Sequence, residues 1–275
     1  MKIVTLVEDN KKIDGIEAEH GVSFFIETQK HKLLFDLGQG DLFSLNAKKL
    51  NIDLTDVDTV IISHGHYDHG GGLKTFLNIN SHAKIYIQAS AIGEFYSERE
   101  KDQYTYIGLD KTLDRSRFVF LEGDSDIDEE LSLISQIEGM DYFPNSNHTL
   151  YKKENNKLIL DDFKHEQSLL VQSNQSTILF AGCAHQGIVN IINQVEKKLD
   201  GKRINIVLGG FHLKSRYKEY EESTANVKLI GEILKDKKID KYYTGHCTGQ
   251  QSFLTLKDIL NNRLFAFYPG LIIEK

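Results

Sequence analysis

The stretch from Asp56 to Gly72 constrains this chain most. A β-branched, apolar run, Val57-Asp58-Thr59-Val60-Ile61-Ile62, leads without a break into Ser63-His64-Gly65-His66-Tyr67-Asp68-His69-Gly70-Gly71-Gly72. Such a run between acidic residues and glycines predicts a buried strand. Three imidazoles and a carboxylate within six positions at its C-terminal end predict a metal site. In extended backbone His64 and His66, two residues apart, point to the same side and can grip one ion. Asp68 and His69 fall on the turn that follows, directed toward a second ion nearby. Imidazole suits zinc, iron or manganese, and a single carboxylate leaves positions open to water. Open α/β structures place their chemistry at the C-terminal ends of strands, so the cluster predicts an α/β architecture.

At 275 residues, 40% hydrophobic and 27% charged, the chain has the composition of a globular protein and can bury a sizeable core. Its two prolines mark no Pro-rich linker, and the expectation is one domain over residues 1–275. An elaboration is expected at about 91–160, where Tyr-rich and acidic segments break the regular pattern. The start, Met1 to Asp9, turns acidic too early for a signal peptide. No stretch approaches the roughly 20 apolar residues of a membrane span. Two cysteines cannot build a disulfide framework, so a cytoplasmic protein is expected, with Cys183 a free thiol. Its net charge of -7 and scattered basic pairs (Lys48-Lys49, Lys152-Lys153, Lys197-Lys198, Lys237-Lys238) argue against nucleic acid as a partner. The expected partner is a small anionic molecule.

Patterning gives strands over 2–7, 22–27, 32–35 and 84–88, and short helices over 42–50 and 73–77. After residue 160, strands are expected over 167–171, 177–181, 204–208 and 241–243, and closing strands over 265–273. Helices are expected from Gly187 to Leu199, over 219–235 and over 252–260. Ile188, Ile191, Ile192, Val195 and Leu199 form one apolar stripe. The two halves share this organisation, which predicts two sheets packed face to face with helices outside.

Further candidate ligands follow later strands, each just after a glycine: Gly182-Cys183-Ala184-His185, Gly209-Gly210-Phe211-His212 and Gly245-His246-Cys247-Thr248-Gly249. Glycine permits close backbone approach, and the recurrence predicts convergence on one site. His165 precedes a strand pair and competes with His185 as a ligand. His20 either approaches the site or sits among Val22, Phe24 and Phe25. His31, His82 and His148 lie in polar stretches and are expected to be exposed.

The His64-x-His66-x-Asp68-His69 turn resembles the signature of the metallo-β-lactamase superfamily, and the resemblance covers essentially the whole chain. The three later motifs, with Glu19-His20-Gly21-Val22-Ser23, resemble the branch of dihydropterin ribofuranosylaminobenzene phosphate synthase-like metal-dependent hydrolases. The resemblance implies a four-layer αββα sandwich with one or two divalent transition-metal ions at the sheet edge, zinc foremost, manganese or iron otherwise. By position, His64 and His66 would bind the first ion, and Asp68, His69 and His246 the second. Most superfamily members place a bridging aspartate where this chain has Cys183, so the second ion would be bound by that thiolate or by His185. His165 or His185 completes the first ion, with His185 favoured, and His212 would face the substrate or support the site. The implied activity is hydrolysis by metal-activated water oriented by Asp68, on a small phosphorylated or pterin-related substrate. The amides at Gly70–Gly72 would favour an anion. The alternatives are a synthase-type transfer and a non-catalytic, metal-dependent ligand sensor.

Overall fold

Alternation along the strands sorts their side chains into separate apolar layers, and the layers define the architecture. The computed structural model describes residues 1–174 and 176–275 and contains two seven-stranded sheets. The first runs, edge to edge, Ile272–Glu274, Lys2–Val7, Ser23–Glu27, Lys32–Phe35, Thr59–Ile61, Lys84–Gln88 and Phe118–Leu121. The second runs Leu264–Ala266, Lys241–Thr244, Ile206–Leu208, Thr177–Phe180, Ser168–Gln172, Leu131–Ile134 and Ser125–Asp126.

In each sheet the strands that precede the motifs are parallel, and parallel neighbours need crossover connections. Helices supply them: α1 (Leu42–Lys49), α2 (Tyr67–Gly70) and α3 (Leu73–Ile79) for the first sheet, α4 (Ile188–Lys198), α5 (Thr224–Asp236) and α6 (Gln250–Leu260) for the second. Phe24, Phe35 and Ile61 of the first sheet meet Ile178, Phe180 and Leu208 of the second in the central core. The alternate residues point away. Phe25, Leu34 and Val60 pack under Phe43 of α1 and Phe76 of α3. Leu179 and Val207 pack against Ile191, Ile192 and Val195 of α4, Leu234 of α5 and Leu256 of α6. The order is α, β, β, α.

Some details differ from the sequence reading. The helix expected from residue 219 begins at Thr224, because the Ser223 hydroxyl caps it by accepting from Asn226 N at 3.1 Å; only one 3-10 turn, Lys218–Tyr220, precedes it. The stretch 91–160 divides: four of its strands form a separate antiparallel sheet, and three others extend the edges of the two main sheets. Among the described residues, no helix is long and apolar enough to cross a membrane.

His31 is not exposed as expected but half-buried between two carboxylates. Its Nδ1 lies 2.8 Å from Asp58 Oδ1 and its Nε2 2.7 Å from Asp128 Oδ2, tying the starts of two central strands of the first sheet to the turn between the edge strands of the second. Burial opposes its charge, but the two aspartates prevail and raise its pKa above the ordinary 6.5. The folded protein therefore holds this proton more tightly than the unfolded chain does. The resulting stability is complete below about pH 6.5 and is lost as pH rises through the higher folded value. His31→Asn is expected to flatten that part of the stability curve in urea unfolding between about pH 5 and 9. An unchanged curve would refute the linkage.

Candidate metal centre

The C-terminal ends of the parallel strands open into the loops that carry the motifs, and backbone bonds hold these loops together. Gly210 N donates to Gly182 O at 2.8 Å, Phe211 N to Thr248 Oγ1 at 3.0 Å, and His246 N to Glu8 Oε1 at 2.8 Å. Gly209 must be glycine: its φ is 151°, and a Cβ there would overlap the Ala181 carbonyl.

The first donor set is His64, His66 and His185. Their ring centroids lie 4.6, 4.8 and 5.0 Å apart, and the Nε2 atom of each is buried without a hydrogen-bond partner. Buried nitrogens left unpaired are costly. Donor atoms of His64, His185 and Cys183 lie within 4.8 Å of one another, a spacing that fits a divalent cation, and His66 joins them by ring proximity alone. The other nitrogens of His64 and His185 are fixed, that of His64 by Ser63 Oγ at 2.8 Å. His185 Nδ1 lies 2.9 Å from Asn147 Oδ1, and Asn147 Nδ2 donates to His185 O at 2.8 Å, which settles the amide orientation and leaves the lone pair on Nε2. Burial, ahead of mutual repulsion among the rings, holds His64 and His185 well below the ordinary range and pushes His66 down to about 3. All three are neutral, as ligands must be.

The second set is Asp68, His69, Cys183 and His246. Cys183 Sγ is 3.1 Å from His69 Nε2. Asp68 Oδ2 lies 3.6 Å from His69 Nε2 and 3.3 Å from His246 Nε2. Each imidazole is backed by a carboxylate, His69 Nδ1 by Asp36 Oδ2 and His246 Nδ1 by Asp9 Oδ1, both at 2.7 Å. Burial works against charge on both rings, but Asp36 and Asp68 raise His69, and Asp68 and Asp9 raise His246. Asp68 is held well below the carboxylate range despite its burial, by His69 and His246. Burial pushes the Cys183 thiol up. A cation binding here would displace these protons. Cys183 lies within 4.8 Å of the donor atoms of His64 and His185, and equally of those of His69 and His246, so it stands between the two sets.

His165 does not present a free nitrogen. Its Nδ1 accepts from Gly65 N at 3.1 Å and its Nε2 lies 3.0 Å from Asp161 Oδ2, so it buttresses the turn carrying His64 and His66. His165→Ala is expected to lower thermal stability but to leave zinc content by mass spectrometry intact. His185→Ala should lose zinc with the fold retained; the reverse pattern would exchange their roles. The His212 ring lies 4.1 Å from that of His185 at a tilt of 55°, and both its nitrogens are buried without a hydrogen-bond partner. The glycine amides expected to face an anion are already committed: Gly70, Gly71 and Gly72 donate to His66 O, Tyr67 O and Gly38 O at 3.1, 2.7 and 3.3 Å.

Several supporting groups escaped the sequence reading. Asp36 follows its strand as His64 follows the neighbouring one, and that position is its sequence signal. His20 does reach the site: its Nδ1 lies 3.0 Å from Asp9 Oδ2 and its Nε2 3.3 Å from Asp68 Oδ2. Glu166, pushed up to about 7 by burial, accepts from His185 N and Gln186 N at 2.7 and 2.8 Å. Nothing in its sequence context marked it.

His66, Asp68, Cys183, His185 and His246 of the two donor sets line a cleft of about 510 Å³, whose wall also carries Arg99, Lys214 and Arg216. Among the described residues, none of these three cations forms an ion pair.

Comparison with known proteins points the same way. The family model for the metallo-beta-lactamase superfamily matches residues 16–150. A Methanocaldococcus jannaschii protein named 7,8-dihydropterin-6-methyl-4-(beta-D-ribofuranosyl)-aminobenzene-5'-phosphate synthase is 30% identical, with 100% of this chain and 96% of that protein covered. The crystal structure of Tm1679, described as a metal-dependent hydrolase of the beta-lactamase superfamily, superposes with a TM-score of 0.84 at 28% identity, covering 100% of this chain and 99% of that one. YhfI from Bacillus subtilis, a metallo-beta-lactamase fold protein, shares the fold at a TM-score of 0.59 and 11% identity, covering 100% and 98%.

Proposed function

The chain belongs to the metallo-β-lactamase superfamily, and on that premise we propose that it is a metal-dependent hydrolase of a small phosphorylated substrate. The observation that carries the reading is the unpartnered, buried Nε2 atoms of His64, His66 and His185 beside Cys183, which lies within 4.8 Å of donors on His64 and His185 and of donors on His69 and His246, next to a cleft whose wall bears Arg99, Lys214 and Arg216. When bound, divalent ions in such a site supply Lewis-acid polarisation and bring the pKa of water from 15.7 toward about 7. His64, His66 and His185 would hold one ion; Asp68, His69 and His246 a second, with Cys183 between them. Zinc suits this mixture of nitrogen, sulfur and one carboxylate. Asp68, kept ionised, holds and orients the hydrogen of a nucleophile without competing for its proton. His212, beside His185 on the cleft, faces the substrate. Arg99, Lys214 and Arg216 draw in the phosphate and hold it, since cations in a walled cleft focus their field on an anion.

Removing rim charge should then weaken binding more than turnover. Arg216→Ala combined with Arg99→Ala is expected to raise KM for a phosphodiester about tenfold or more while kcat stays within about threefold, with the effect shrinking at high salt. An equal fall in kcat alone would place these residues elsewhere in the reaction.

A second reading is a synthase-type transfer, favoured by the name of the Methanocaldococcus jannaschii relative. The test offers zinc- and manganese-loaded protein a phosphodiester, and separately a dihydropterin with an aminobenzene ribofuranosyl phosphate, and follows products by mass spectrometry. Hydrolytic products support the proposal. A condensed product supports the transfer, and ligand binding with neither product leaves a sensor.

A further inference from the structure

We propose that Cys183, His212 and Cys247 form a third donor set, for a thiophilic cation such as zinc or cadmium, joined to the neighbouring centre through Cys183. The donor atoms of these three residues all lie within 4.8 Å of one another, and all three residues line the same cleft. The inference rests on the proposed metal centre in sharing Cys183 with it, places His212 as a ligand instead of a substrate contact, and requires no hydrolysis.

The geometry is fixed from three sides. The 182–185, 209–214 and 245–249 loops are cross-bonded, by Gly210 N to Gly182 O at 2.8 Å, Phe211 N to Thr248 Oγ1 at 3.0 Å and Lys214 N to Cys247 O at 3.1 Å. A Cβ at residue 210 would overlap the Cys247 sulfur, so glycine at that position makes room for the thiol beside Cys183. Cys247 Sγ donates weakly to Cys183 O at 3.6 Å and also interacts with the Cys183 and His212 side chains, which brings the three donors together.

His212 supplies an independent observation. Its backbone takes a φ of 47°, a region that costs a non-glycine residue free energy, and the Ser146 hydroxyl secures it by donating to its carbonyl. Both of its ring nitrogens are nonetheless buried with no hydrogen-bond partner. A side chain held in an unfavourable conformation with two unpaired nitrogens, next to two sulfurs, matches the needs of an ion rather than of packing. Two sulfurs and one nitrogen select soft and borderline cations over magnesium or calcium. Three protein ligands leave a fourth position, as in reactive zinc sites.

The test is cadmium titration of the full-length, metal-stripped protein, reading sulfur-to-cadmium charge-transfer absorption and bound cadmium by mass spectrometry. Wild type is compared with Cys247→Ser, His212→Ala and His64→Ala. The expected result is that Cys247→Ser removes about half of the absorption, that His212→Ala shifts the filling of that half to at least tenfold higher cadmium, and that His64→Ala leaves it in place. An undiminished band in Cys247→Ser overturns the proposal. Cadmium-113 NMR of the wild type needs no variant: a resonance in the range of two sulfur ligands is expected, and only single-sulfur resonances would overturn it. Hydrolysis absent with the two-sulfur signal present would sink the proposed function and leave this inference standing.

Discussion

If two ions bind as proposed, Cys183→Ala is expected to cost the protein both of them, not one. The sulfur stands 3.1 Å from His69 Nε2 and within 4.8 Å of the donor atoms on His64 and His185, so removing it takes a ligand from each set. A four-ligand zinc site is worth about 10–16 kcal/mol, so one ligand accounts for about 3 kcal/mol, or roughly a hundredfold in affinity. Zinc retained by wild type through buffer exchange should therefore be lost from both positions in the variant, and hydrolysis with it. The alanine keeps the Cβ and creates little cavity, so the fold should persist by circular dichroism. Cys183→Asp restores an anionic ligand and should recover binding. Full zinc content in Cys183→Ala would show that the thiol is only a small buried side chain.

Asp36→Ala should be nearly as damaging, through a different route. The Asp36 carboxylate is fully buried and accepts from Ser63 N, Ser63 Oγ and His69 Nδ1, each at 2.7 Å. Because the serine hydroxyl donates to Asp36, its oxygen is free to accept from His64 Nδ1 at 2.8 Å. One carboxylate thus sets the tautomer of an imidazole in each donor set, leaving Nε2 as the metal-facing lone pair on both. Removing it orphans buried donors, a cost of about 3–5 kcal/mol, which at this chain length corresponds to a fall in Tm of about 10 °C. It should also weaken zinc binding about 10–100-fold. Asp36→Asn fills the same space but turns an amide N–H toward a donor, and should recover less of the affinity than of the stability. Equal recovery of both would mean that Asp36 acts through packing alone.

The residues of the two candidate donor sets were legible because each lies shortly after a short apolar strand, where chain order alone predicts that the loops meet. Gly182, Gly209 and Gly245 reported the close approach of those loops before any coordinates did. The groups that orient the ligands were less legible, because their roles depend on which loops face each other across the edge. Asp9 and His246 are 237 positions apart, and Asn147 and His185 are 38. The choice between His165 and His185 turned on hydrogen bonds to Gly65 and Asp161 that no spacing rule contains. The segment 91–160 resisted for a related reason. Phe118–Leu121 and Leu131–Ile134 are ordinary strands that find partners in different sheets, so their neighbours in sequence are not their neighbours in space.

The account stands most directly on X-ray absorption at the zinc edge of the metal-loaded wild-type protein. It predicts imidazole nitrogen at about 2.0–2.1 Å together with sulfur at about 2.3 Å in the averaged zinc shell. A shell of nitrogen and oxygen with no sulfur would contradict the placement of Cys183 between the two donor sets.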